Sequence, residues 1–348
     1  MYFASDNSGP AHPEVLAALA RANTGYAMPY GADIIMDEVR ETLRSIFEAP
    51  EASVYLVATG TAANALALAT MCAPYETVFC SPTAHIHEDE CNAPEFYTAG
   101  AKLSIVGTQD QMTPETLRSS IEAQQTRGVH GPQRGPVSIT QVTERGAVHS
   151  LAEIKALSDV AKSYGLGVHL DGARFANAQA ALGCSAAEMT WKAGVDVVSF
   201  GGTKNGCMGV EAVIFFDPTK AWEFELRRKR GAHLFSKHRF LSAQMQAYLA
   251  DDLWLKSAKQ ANINCQRLAS GLRKVDGAQI TNRPDANIIF AELPRAAHQR
   301  LAAAGARYYV LAGDIDAGDP NEPLPCRLVC DWSISEELID TFLDVAKG

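Results

Sequence analysis

Between residues 53 and 216, short β-branched runs alternate with amphipathic helical stretches, and this alternation constrains the fold more than any other feature. Ser53–Val57 reads as a strand and leads into an Ala/Leu-rich helix from Thr61 to Met71. Thr77–Cys80, Lys102–Val106 and Val137–Thr140 are predicted strands as well. Thr113 caps a helix that has Pro114 at its first position, where a missing N–H costs nothing. Ser150-Leu151-Ala152-Glu153 is a capping box for a helix that ends near Gly165. Gly167–Leu170, Asp196–Phe200 and Glu211–Phe216 complete the strands, with Phe175–Leu182 helical. Such alternation builds a mainly parallel sheet covered by helices on both faces, whose reactive groups gather where strands end.

The 348 residues exceed what one compact core usually holds, so two domains are expected. Leu241 to about Arg273 is helical without strands. After Asn282-Arg283-Pro284-Asp285 the pattern becomes strand (Asn287–Leu293), helix (Arg295–Ala303), two strands ending with Cys326–Cys330, and a helix (Ser335–Ala346). We expect a large domain over 1–245 and a smaller α+β domain over 246–348, with a flexible loop at Gly313–Pro325. Lys and Arg number 31 against 40 Asp and Glu, a net charge of −9, which argues against nucleic acid or an anionic membrane as partner. No basic segment precedes an apolar stretch near Met1, and no run of 18 apolar residues occurs, so neither a secretory signal nor a membrane span is expected. The eight cysteines are scattered without a CxxC pair, as free thiols in a reducing cytoplasm would be, and no metal site is expected.

Four segments carry chemistry. In Ser199-Phe200-Gly201-Gly202-Thr203-Lys204-Asn205-Gly206 a lysine follows an apolar strand among glycines. On that segment alone it is an ordinary surface lysine; desolvated, it loses its proton more easily and condenses with a carbonyl. Val168-His169-Leu170-Asp171-Gly172-Ala173-Arg174 runs a strand into an aspartate. That carboxylate either caps the next helix or pairs with a buried cation such as a protonated pyridine nitrogen. Ala58-Thr59-Gly60-Thr61-Ala62-Ala63-Asn64 offers helix-start amides and hydroxyls that suit a phosphate, or plain N-capping. It has neither GxGxxG nor a P-loop, which disfavours a nucleotide-binding domain. In Thr83-Ala84-His85-Ile86-His87-Glu88-Asp89-Glu90, capping and surface charge compete with a histidine stacked on a cofactor ring. An i, i+2 histidine pair does not share a helical face, which weakens metal ligation.

The order phosphate turn, imidazole, aspartate, then a lysine 33 residues after that aspartate resembles fold-type-I enzymes dependent on pyridoxal phosphate (PLP). More closely, Ala4-Ser5-Asp6-Asn7, Gly60-Thr61-Ala62-Ala63-Asn64, His85, His169–Arg174 and Phe200–Gly206 resemble the low-specificity L-threonine aldolase family, from about Phe3 to Trp332. The resemblance implies an α/β fold with a mostly parallel seven-stranded sheet flanked by helices and a smaller α+β C-terminal domain. It implies PLP joined to Lys204, its pyridine nitrogen paired with Asp171, Arg174 beside it, its phosphate on Gly60 and Thr61, and His85 stacked on the ring. It further implies that Arg327 clamps the substrate carboxylate with Asn7 or Ser8, that Tyr30 reaches a neighbouring subunit's site, and that the enzyme is a cytoplasmic homotetramer, a dimer of dimers with shared sites. An arginine inside the apolar run Cys326–Cys330 needs an anion, whether a substrate carboxylate or a structural ion pair.

One segment departs from the family. Many relatives carry Thr-His-Asn-Gly where this chain has Thr143-Glu144-Arg145-Gly146, so Glu144 stands where a histidine lies near the substrate's β-hydroxyl. A carboxylate can take a hydroxyl proton, which makes Glu144 a catalytic candidate beside His85 or a water. The expected activity is cleavage of an L-3-hydroxy-amino acid to glycine and an aldehyde. Rivals are an aldolase for aromatic or acidic substrates, a racemase or β-lyase on the same scaffold, and a PLP-binding protein without turnover.

Overall fold

The computed structural model describes residues 1–348, apart from the side chains of residues 125 and 126. Seven strands form the main sheet: β1 (Ser53–Val57), β2 (Glu76–Cys80), β3 (Lys102–Ile105), β4 (Gln133–Thr140), β5 (Val168–Gly172), β6 (Val197–Gly201) and β7 (Glu211–Phe215). Their spatial order is β1-β7-β6-β5-β4-β2-β3. β7 runs antiparallel to both its neighbours, while the other adjacent pairs are parallel. β5, β6 and β7 are buried along their whole length, as central strands under two helical layers should be.

The predicted elements fall close to their observed bounds. The helices Phe175–Leu182 and Arg295–Ala303 coincide with the sequence reading, and Ser150 and Glu153 form the capping box in both directions. The second sheet is antiparallel, in the order β10-β11-β9-β8, built from β8 (Gln279–Ile280), β9 (Ile288–Pro294), β10 (Tyr309–Val310) and β11 (Pro323–Val329). The expected loop at Gly313–Pro325 is shorter than the sequence suggested. β11 starts at Pro323, Leu324 is buried, and the Arg295 side chain donates to the carbonyls of Asp314 and Asp319. Two prolines read as loop, yet on the β10 side Pro323 lies beyond the ladder and Pro325 takes part only through its carbonyl, which accepts from the Leu311 amide at 2.8 Å.

Two apolar cores dominate. One lies about the main sheet and includes Phe175, Phe200, Tyr248 and Trp254. The other joins Leu268, Leu272, Ile289, Leu328 and Phe342, and it also takes in Phe3. The 20-residue helix Leu253–Leu272 contributes Trp254 to the first and Leu268 to the second. The N-terminal segment reaches the second sheet by backbone bonds, Phe3 N to Arg307 O at 2.7 Å and Val329 N to Phe3 O at 2.8 Å. Among the described residues no helix is long and apolar enough to cross a membrane.

Candidate active site

The parallel strands deliver their chemistry at their C-terminal ends. Asp171 is the fourth residue of β5, and Lys204 lies in a tight turn just past β6. These ends are pressed together because glycines permit it. A Cβ on Gly201 would strike the Ala173 carbonyl, and one on Gly172 would come within 2.6 Å of the Ser199 carbonyl. Any side chain at either position would part the aspartate-bearing and lysine-bearing segments.

Each segment is also clamped from behind. Asp171 is buried and accepts from Asn64 Nδ2 at 2.9 Å and from the Ala173 amide at 3.1 Å. The lysine turn is held by Glu211, whose carboxylate accepts from the Gly202 amide at 2.8 Å. It is held as well by Tyr248, whose hydroxyl donates to the Gly201 carbonyl at 3.0 Å and accepts from Asn205 Nδ2 at 2.8 Å. Complete burial pushes the Glu211 carboxyl up to about 7. Lys204 itself is half-buried, and its Nζ has no hydrogen-bond or ion-pair partner among the described residues.

Arg174 makes a bidentate pair with Asp6, Nε to Oδ2 at 2.7 Å and Nη2 to Oδ1 at 3.0 Å, and both side chains are buried. Asn287 donates to the same carboxylate at 3.1 Å. Burial alone would raise the Asp6 pKa; the charges of Arg174 and Lys204 outweigh it and hold the group below the usual carboxylate range. His169, the other histidine of this region, is structural. It sits between the Ser138 and Ser199 hydroxyls at 2.9 and 3.0 Å, and burial lowers its pKa to about 4.

A cavity of about 380 Å³ opens over these groups, and Asn7, His85, Glu144, Arg174, Lys204 and Arg327 all line it. Six residues singled out in the sequence are thus brought together, with Asp171 buried close enough to His85 and Arg174 to act on both electrostatically. Arg327 projects from β11 beside Phe290 of β9. Its guanidinium has no ion-pair or hydrogen-bond partner among the described residues. Burial, then the like charge of Arg174, depress its pKa, so an anion arriving there relieves both. Glu144 is half-buried and faces His85, Arg174 and Arg327 electrostatically.

Other candidates lie elsewhere. Gly60 and Thr61 open the helix Gly60–Met71 outside the lining set; the Thr59 side chain takes the Ala62 amide, and a Cβ on Gly60 would meet nothing within 4 Å. The helix therefore opens onto free space at Gly60, as an anion site requires. Ser8 is exposed outside the cavity, and Ser5 takes the lining position instead. Tyr30 is exposed, with the Lys229 ammonium 4.9 Å from its ring. Sequence reasoning missed the partners that make the site rigid: Asp6, Asn64, Glu90, Glu211 and Asn287. Asp6, Asn64 and Glu90 stood inside the quoted segments, yet nothing local showed which group each one meets.

This donor set fits PLP. It offers an unpartnered lysine amine, a buried carboxylate for a ring nitrogen, a helix start facing open space and a lone arginine for a carboxylate. Comparison with known proteins agrees. Residues 2–296 match the beta-eliminating lyase family. The chain is 41% identical over 338 residues to a low specificity L-threonine aldolase of Pseudomonas aeruginosa, covering 97% of this chain and 94% of that one. It is 40% identical over 335 residues to the enzyme of the same name from another Pseudomonas strain, covering 96% and 93%. Among solved structures, a Leishmania major threonine aldolase superposes with a TM-score of 0.90 at 25% identity, covering 99% of this chain and 98% of that one. The strand order, the lysine and aspartate at neighbouring strand ends and the matched span agree, and the chain belongs to the beta-eliminating lyase family.

Proposed function

We propose that this protein is a PLP-dependent carbon–carbon lyase, an L-threonine aldolase that cleaves L-threonine, L-allo-threonine or related L-3-hydroxy-amino acids to glycine and an aldehyde. One observation carries the reading: a lysine amine without a partner shares a cavity with an unpaired, half-buried arginine, above a buried aspartate. Lys204 would hold the cofactor, Asp171 would keep a proton on its ring nitrogen, Gly60 and Thr61 would bind its phosphate through helix-start amides, and His85 would flank its ring. Bound PLP supplies an electron-withdrawing ring that stabilises negative charge at the substrate Cα.

The chain's own residues do the rest. Arg327 grips the substrate carboxylate, with Asn7 beside it, and so fixes the direction of the Cα–Cβ bond. Glu144 accepts the β-hydroxyl proton as that bond breaks and the aldehyde leaves. The Asp6–Arg174 pair braces the floor on which both steps occur.

We further infer a homotetramer, a dimer of dimers, in which Tyr30 serves a neighbouring subunit's site. Exposed Phe96, Trp222 and Leu226, at 77%, 71% and 52%, support burial against other copies. The eight free cysteines support a reducing, cytoplasmic setting. A division into two domains is supported by the two apolar cores, with the helix Leu253–Leu272 joining them, although 245/246 itself falls inside the helix Arg239–Leu249. The test of function is direct. Loaded with PLP and given L-threonine, the protein should release glycine and acetaldehyde in equal amounts. Racemisation of alanine without aldehyde release would overturn the aldolase reading.

A further inference from the structure

Three hydrogen bonds link the histidine of the cavity to the buried aspartate. His85 Nδ1 lies 2.9 Å from Glu90 Oε1, Asn64 Nδ2 donates to that same oxygen at 3.0 Å, and Asn64 Nδ2 also donates to Asp171 Oδ2 at 2.9 Å. The orientation of the Asn64 amide follows from chemistry, because both its neighbours are carboxylate oxygens and only the NH2 can face them. The Glu90 side chain is 0% exposed, and His85 is its one ion-pair partner among the described residues.

A carboxylate so placed demands a cation or a proton of its own. Glu90 Oε2 is buried with no partner, so a proton there would have nothing to bond. Glu90 Oε1 already receives the Asn64 N–H, and a proton between Oε1 and Nδ1 rests on the more basic imidazole. Burial opposes a charge on His85, while Asp171 and Glu144 favour it. Around the cavity Lys204, Arg174, Arg327 and Arg145 are of like sign to an imidazolium, and Glu88 and Asp89 of opposite sign. The Glu90 hydrogen bond leads, and the balance lies above the ordinary histidine value.

We propose that Glu90 and Asn64 are positioning residues: Glu90 keeps His85 protonated on both ring nitrogens, with Nε2–H free to donate into the cavity, and Asn64 ties that charge to Asp171. The proposal rests on the reading of His85 and Asp171 as groups that flank the cofactor. It has a mechanistic consequence. An imidazolium cannot accept the β-hydroxyl proton, so that task falls to Glu144, and His85 becomes a donor to oxygen.

The test is a ring-nitrogen NMR titration of histidine-labelled, full-length protein, with and without PLP. His85 should show the doubly protonated signature at pH 7 in the wild type. In Glu90→Gln, which keeps an acceptor but removes the charge, its midpoint should fall by about one pH unit or more. The wild-type measurement stands even where the variant fails to fold. A neutral His85 at pH 7, or a midpoint unmoved in Glu90→Gln, would overturn the proposal. Asn64→Leu should leave the His85 signature near wild type and weaken PLP retention about tenfold or more, through a freed Asp171; unchanged retention removes Asn64. Failure of the functional reading would appear separately, as absence of PLP binding or aldehyde release, and would leave the cofactor-free titration informative.

Discussion

The floor and the wall of the cavity are built on opposite principles. On the floor, Asp171, Arg174 and the lysine-bearing turn are tied by short bonds to Asn64, Asp6, Glu211 and Tyr248. On the wall, Arg327 and Glu144 are half-buried and lack ion-pair partners among the described residues. Matched groups hold a cofactor at a fixed place, because each bond removes a way to move. Unmatched groups hold nothing until a ligand supplies the missing charge. The difference separates a region made for a resident from one made for a visitor.

That contrast can be broken in several ways. The largest effect should come from Lys204→Ala, which removes the attachment point and leaves the surrounding clamps in place. Turnover should fall by about 10³-fold or more, with visible absorbance lost and the far-UV spectrum unchanged; wild-type cleavage by this variant would refute the lysine assignment. Asp6→Ala should strand the buried Arg174 cation and destabilise the fold by about 3–5 kcal/mol, read from urea unfolding. A midpoint equal to the wild type would place that pair outside the structural floor.

On the wall the same kind of truncation should act on ligand rather than on fold. Arg327→Ala should raise KM about tenfold to a hundredfold with little change in unfolding midpoint. An unchanged KM would remove Arg327 from the site. The smallest effect sharpens the comparison at the floor. Burial raises the Glu211 pKa in the folded state to about 7, so the folded chain holds a proton there that the unfolded chain has released. Stability should therefore fall as pH rises from about 4.5 to about 7. Glu211→Gln should flatten that slope and gain on the order of 2 kcal/mol at pH 8, by the same linkage. A slope identical in both proteins would mean that Glu211 ionises freely.

Local order was legible in the sequence where local physics decides it. Phe175–Leu182 and Arg295–Ala303 coincide with their helices because helical periodicity and flanking residues are near-neighbour signals. Lys204, Asp171, Arg174 and His85 were singled out because the segments that carry them resemble the motifs of a known family, and the fold brings them close to one another. The partners were not, since Asp6 meets Arg174 across 168 residues and Glu211 contacts the lysine turn from the next strand. A buried carboxylate and an exposed one look alike in a string of letters. Only the end of the loop before β11, residues 323–325, was misjudged, for a related reason: its prolines read as loop, while Leu324 is buried in the strand by contacts from elsewhere in the fold.

The first six residues join both halves of the protein. Phe3 is sunk in the core of the second sheet, and three residues later Asp6 grips an arginine just past the central strand of the first. So short a span has little slack, and the segment works as a hasp. Spreading the gap between the sheets would mean either drawing an aromatic ring out of its socket or parting a buried ion pair, so the segment resists any widening of the mouth over Lys204.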